Sequence, residues 1–180
     1  MDDPRSGFRI DRLRLGEWVI GLGAVGLLVD LIAVPWYSLR ATFRATSAEF
    51  GAATSATGIQ AHHLLGALAI LCSLLGLLAW GLQATQRGPA APLSATVMLF
   101  LLCLPLCVGL LIRVVFDPPA VIVLGAPGVN TIQTDVGAVV GLFLAWGLLL
   151  GTWVSMRTDG IAVADAPREI ETLRLARRPD

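Results

Sequence analysis

The sequence contains no lysine, and charge of either sign is scarce. Charged residues make up 14% of the chain, where a soluble domain carries roughly 25%. The 13 basic residues are all arginine, and 13 acids cancel them. That balance excludes a dedicated nucleic-acid binder, and the shortage of polar residues excludes a disordered chain. Three cysteines are too few for a disulfide-rich scaffold. There is no phosphate loop, no His-Glu-x-x-His and no nucleophile elbow. The absence of Cys-x-x-Cys argues against a quinone-linked thiol oxidoreductase. The only histidines are His62 and His63, so a haem held between histidines of two helices is excluded. No cofactor and no resident metal is expected. A metal held by one histidine with Asp30 or Asp135 is a weaker reading than a half-wet interfacial histidine.

What the chain has is apolar length, with 56% of its residues hydrophobic. Four runs dominate, at about 17–37, 61–83, 93–116 and 133–156. Each matches the ~20 residues a helix needs to cross a ~30 Å hydrocarbon layer. They are apolar on nearly all sides, as expected of helices facing lipid and one another. A chain this short cannot bury four such helices in a soluble core. The first run carries Glu17 and Asp30 and lacks a small-x-small cleavage site, so it reads as a retained span rather than a signal peptide. The expected fold is an all-α four-transmembrane-helix bundle. Its membrane domain covers residues 16–157, between an N-terminal segment 1–15 and a tail 158–180.

The arginines orient it. Ten of them (Arg5, Arg9, Arg12, Arg14, Arg87, Arg157, Arg168, Arg174, Arg177 and Arg178) flank one side, and only Arg40 and Arg44 flank the other. Both termini are expected in the cytoplasm of a plasma-membrane protein, with two extracytoplasmic loops at about 37–60 and 117–134. Trp18, Trp80 and Trp153 then fall at the inner interface, and Trp36 and Tyr37 at the outer one. The first outer loop is long enough for a small cap. In the second, the apolar stretch 120–124 reads as a short strand or a segment dipping into the membrane. Residues 166–178 suit either a helix on the inner leaflet or a disordered tail.

Small residues mark where membrane helices approach closely. In the fourth run Gly137, Gly141 and Ala145 recur at every fourth residue, and Gly147, Gly151 and Ser155 repeat the spacing on another face. Pro105 is expected to kink the third run. Cys103 and Cys107, four apart, share a helix face, and with Cys72 they read as small apolar fillers.

Ionisable groups within spans are the pointed signal. Asp30, Arg113 and Asp135 all fall in the outer half of the bilayer. Asp117 follows Arg113 by four residues, and His62 and His63 open the second span at the same depth. An arginine cannot neutralise itself. Arg113 must therefore reach the surface or meet an acid, with Asp30 and Asp135 the acids at matching depth. This set reads either as a structural ion-pair network or as an outward-facing ligand pocket.

Leu15-Gly16-Glu17 opens the first run and Pro35-Trp36-Tyr37 follows it, while Arg113-Val114-Val115-Phe116-Asp117-Pro118-Pro119 closes the third. This pattern resembles a group of small four-span membrane proteins of unassigned function from high-GC bacteria. The group has tryptophan where this chain has Ile59, and His62-His63 departs from it as well. The resemblance implies a four-helix plasma-membrane protein and carries no activity.

Three functions follow as expectations. The first is a non-enzymatic accessory or scaffold subunit of a membrane assembly, with a protein partner or a second copy beside it in the bilayer. The second is an oligomeric transporter or small-molecule receptor using Arg113, Asp30 and Asp135. The third is a membrane enzyme with histidine acid–base chemistry.

Overall fold

A computed structural model describes residues 13–40, 55–85, 90–117 and 132–158. The 120–124 stretch, the tight Gly88-Pro89 connection expected between the second and third runs, and the C-terminal tail lie outside the described residues. Of the described residues, 84% are helical. The main elements are α1 (Leu15–Ala33), β1 (Pro35–Leu39), β2 (Ser55–Thr57), α2 (Gly58–Ala61), α3 (His63–Thr85), α4 (Ala90–Leu111), β3 (Ile132–Thr134) and α5 (Val136–Thr158). A π-turn, Ile112–Phe116, extends α4. Four helices are long and apolar enough to cross a membrane: Leu15–Ala33, His63–Thr85, Leu93–Phe116 and Val136–Thr158. This is compatible with an integral membrane protein of several spans.

The helices form a ring in which α1 touches α3 and α5, and α4 closes it by touching the same two. Ile20, Ala24, Leu27 and Leu31 of α1 are buried against Ala145 and Leu148 of α5 and against Leu99, Cys103 and Leu106 of α4. Leu22, Val29, Leu74, Leu101 and Leu150 face outward, as lipid contact requires. Pro105 sits inside α4, which continues past it to Leu111.

The all-α expectation needs one correction. A three-stranded antiparallel sheet in the order β2-β1-β3 crosses one end of the bundle. The first helix stops at Ala33 rather than near residue 37, because Pro35 bars the preceding residue from the helical region. Val34 is extended at φ −100° and ψ 133°. Proline is tolerated as the first residue of a strand. The fourth helix begins at Val136, later than expected, because residues 132–134 pair with β1 instead. Open sheet edges are not viable in hydrocarbon, so this sheet belongs at the end of the bundle, with β1 paired on both sides.

Candidate functional site

The sheet end is built around Trp36 and Tyr37. Between β1 and β2, Pro35 pairs with Thr57 and Tyr37 with Ala56, so Trp36 is the extra residue of a bulge. A bulge re-aims its side chain. Here the indole turns down into the bundle and is only 1% exposed. Its carbonyl accepts from the Asp135 backbone N–H at 2.9 Å, which ties the start of α5 to the strand.

Glycines of two elements make room for this ring. A Cβ on Gly58 would stand 2.7 Å from the indole, and one on Gly137 would stand 3.0 Å from it. A Cβ on Gly141 would collide with the indole and stand 2.6 Å from Asp30 Oδ2. The indole Nε1 donates to that Oδ2 at 2.9 Å. Asp30 is 3% exposed, and its Oδ1 has no hydrogen-bond partner among the described residues. Trp36 and Tyr37, expected at the outer interface, are both buried within the fold rather than exposed at its surface. The bulge and the glycine pocket bury the indole, whose N–H finds an acceptor in Asp30 Oδ2.

Tyr37 serves the other helices. Its Oη lies 3.0 Å from His62 Nε2 and 3.5 Å from the Arg113 carbonyl oxygen. The phenol donates to the Arg113 carbonyl, which can only accept, and its oxygen shares a hydrogen bond with His62 Nε2. The two rings meet edge-on, 5.4 Å apart at 85°. His62 reaches this position because of a local break. Thr57-Gly58-Ile59-Gln60 closes a one-turn helix, with the Thr57 N–H donating to Gln60 Oε1 at 3.0 Å. His62 then leaves helical geometry (φ −139°, ψ 83°) and α3 begins at His63. One imidazole turns inward and the other, His63, stays exposed.

Burial pushes the Tyr37 phenol up to about 12 against the pull of nearby Arg113. Burial, helped by the same guanidinium, holds the His62 imidazole below its usual value. Both groups are uncharged at neutral pH. Because His62 binds its proton more weakly when folded, the unfolded chain takes up that proton first as pH falls below about 6.5. Stability should therefore drop between pH 7 and pH 5. Thermal melts in detergent across that range should show this slope in the wild type and a shallower one in His62→Gln.

Arg113 meets neither Asp30 nor Asp135. It pairs with Asp117, Nη1 to Oδ2 at 2.7 Å, with the two side chains 48% and 68% exposed. The π-turn explains this, since the Asp117 N–H closes onto the Ile112 carbonyl at 2.7 Å and folds Asp117 back toward Arg113. Asp30 is taken by Trp36, and the Asp135 backbone is taken by β1. The structure thus gathers Asp30, His62, Arg113 and Asp117 at one end but divides them among separate partners. Gln133, two residues before Asp135, donates from Nε2 to Ser38 Oγ at 3.1 Å across the sheet.

The sequence reading missed a second polar cluster at the opposite end. Gln83 Nε2 reaches Ser155 Oγ at 3.2 Å and Thr96 Oγ1 at 3.5 Å, joining α3 to α5 and α4. Arg14 Nη1 donates to the Thr158 carbonyl at 2.9 Å, and the Arg14 N–H to Glu17 Oε2 at 2.8 Å. The available signal was a glutamine near the end of an apolar run. Cys72 approaches Cys103 across the α3–α4 contact, and all three thiols are free and buried. Among the described residues no group of three or more metal-ligating side chains is placed to hold an ion.

Along α5, Gly137 and Gly141 face β1 and Trp36, Ala145 is buried, and Gly151 touches α1. Gly147 opens onto free space. No family model matches the chain, and no similarity to a curated protein or to a solved structure is detected.

Proposed function

We propose that the chain is a non-enzymatic accessory or scaffold subunit of a plasma-membrane assembly, with both termini cytoplasmic and the sheet end outside. The resemblance to the small four-span proteins of high-GC bacteria is part of this reading. The observation that carries it is an apolar groove of about 250 Å³ between α1 and α5. Leu15, Gly16 and Val19 line one wall, and Gly147, Leu150, Gly151 and Val154 line the other. Its occupant in this reading is a membrane helix of another subunit. An acyl chain fills any lipid-facing groove, whereas the open Gly147, with nothing within 4 Å of its Cβ position, lets a second backbone come close. The sheet-end groups support the same reading, since Asp30 and His62 each spend a hydrogen bond on a separate partner inside the fold.

Gly147→Leu tests it. A Cβ at Gly147 meets nothing within 4 Å, so the larger side chain fills the groove without disturbing the bundle. After gentle detergent extraction the wild type should run as a complex larger than its own 19.0 kDa plus a micelle. Gly147→Leu should run as the single subunit with an unchanged melting temperature. A wild type that extracts only as a monomer, or a variant that stays in the complex, overturns the reading.

A further inference from the structure

We propose that Arg113 is a binding site for a phosphate group at the sheet end of the membrane, with the phosphodiester of a lipid headgroup as the first candidate. The inference does not depend on the accessory-subunit reading.

Position is the first argument. Arg113 lies three residues before the end of the span Leu93–Phe116, about 5 Å along the axis at 1.5 Å per residue. An arginine stem covers that distance and delivers its head to the interface. Its neighbours Ile112, Val115 and Phe116 are all exposed apolar side chains, so this part of the π-turn looks into lipid. A guanidinium among them stands at headgroup level.

Chemistry is the second argument. Guanidinium offers five donors in a planar fork that matches two phosphate oxygens. The described residues occupy one of its nitrogens, through the bridge to Asp117. That bridge is half exposed on both sides, and such pairs contribute little. Asp117 is therefore a weak occupant that a stronger anion displaces.

The groups behind Arg113 complete the argument. Tyr37 Oη lies 3.5 Å from the Arg113 carbonyl oxygen and 3.0 Å from His62 Nε2, and neither side chain brings a negative charge. His63, next along the chain, is exposed and adds none. Among the described residues, the only carboxylate paired with the arginine is the displaceable one. An anion seated on Arg113 would also offset the positive field that weakens proton binding at His62, which provides a reporter separate from binding itself.

The test uses the full chain in dodecyl maltoside micelles, which carry no phosphate. Phosphatidylglycerol, diacylglycerol and inorganic phosphate are added separately. Native mass spectrometry counts retained lipid, and NMR follows the His62 ring protons against pH. Phosphatidylglycerol should be retained and diacylglycerol should not, and the His62 titration should move to higher pH. Arg113→Gln should weaken retention about tenfold or more, with Arg113→Lys in between. Asp117→Asn should strengthen retention several-fold, a direction that a purely structural Arg113–Asp117 bridge does not give. If inorganic phosphate alone moves the His62 titration to the same extent, the site takes free phosphate. Equal retention by wild type and Arg113→Gln, or no gain in Asp117→Asn, overturns the proposal. Both side chains are exposed, so melting temperatures close to wild type will show that these variants are folded.

Discussion

Trp36→Ala should cost more stability than any other single change at the sheet end. Removing a buried indole forfeits its packing and leaves a cavity, at about 3–5 kcal/mol. Here two further losses follow. Asp30 Oδ2 gives up the N–H that serves it, in a site where a polar group without a partner is costly. The glycines at 58, 137 and 141 would then border empty space that their backbones cannot fill. Trp36→Phe separates these terms, because it keeps most of the ring volume and removes only the donor. Its loss should be about 1–3 kcal/mol, the range for an unsatisfied buried acceptor. Asp30→Asn should be milder still, since an amide oxygen can accept from the same indole. Thermal unfolding in detergent followed by circular dichroism should rank the melting temperatures as wild type, Asp30→Asn, Trp36→Phe and Trp36→Ala, from high to low. A Trp36→Ala protein as stable as Asp30→Asn would mean that the bulge and its glycine pocket do not hold the sheet end together.

The sequence shows why the helices were legible and the sheet was not. A membrane helix announces itself by length, and the third span falls at 93–116 both by hydropathy and in the structure. Hydropathy cannot distinguish a helix from the buried strand that follows it, so by hydropathy alone the first span runs on through Pro35-Trp36-Tyr37. Strands of three and five residues are too short for a period to emerge, and their pairing joins segments about twenty and a hundred residues apart. Proline at position 35 was the one local sign of the break.

Partner choice was hidden for a related reason. Matching charge with depth led from Arg113 to Asp30 and Asp135, since a buried cation needs a buried anion. The π-turn instead brings Arg113 out to meet Asp117, its neighbour by four. Asp30 finds a neutral donor six residues away, a contact that depends on the helix ending at Ala33 and on the bulge that aims Trp36 inward. Spacing put Cys103 and Cys107 on one face, while the approach of Cys72 depends on how α3 lies against α4.

Gly16→Val should open the opposite end of the bundle. A Cβ on Gly16 would stand 2.8 Å from the Ser155 nitrogen and 3.1 Å from the Gly151 carbonyl oxygen. The contact is reciprocal, because a Cβ on Gly151 would lie 3.1 Å from the Ile20 nitrogen and 3.2 Å from the Gly16 carbonyl. These are backbone atoms, with no side chain to rotate aside, so the only relief is for α1 and α5 to separate. Overpacking of this kind costs about 1–3 kcal/mol for a small insertion, and valine adds two further methyl groups to that. Separation would also pull Thr158 from Arg14, which removes a polar tie between the start of α1 and the end of α5. Gly81→Ala is the control. Its Cβ meets nothing within 4 Å, so the change should be neutral or stabilising by up to about 1 kcal/mol through helix propensity. The three buried thiols provide a readout besides the melting curve. Their labelling by a small thiol reagent should be slow in the wild type and in Gly81→Ala, and faster in Gly16→Val. If Gly16→Val labels and melts like the wild type, α1 and α5 do not meet backbone to backbone.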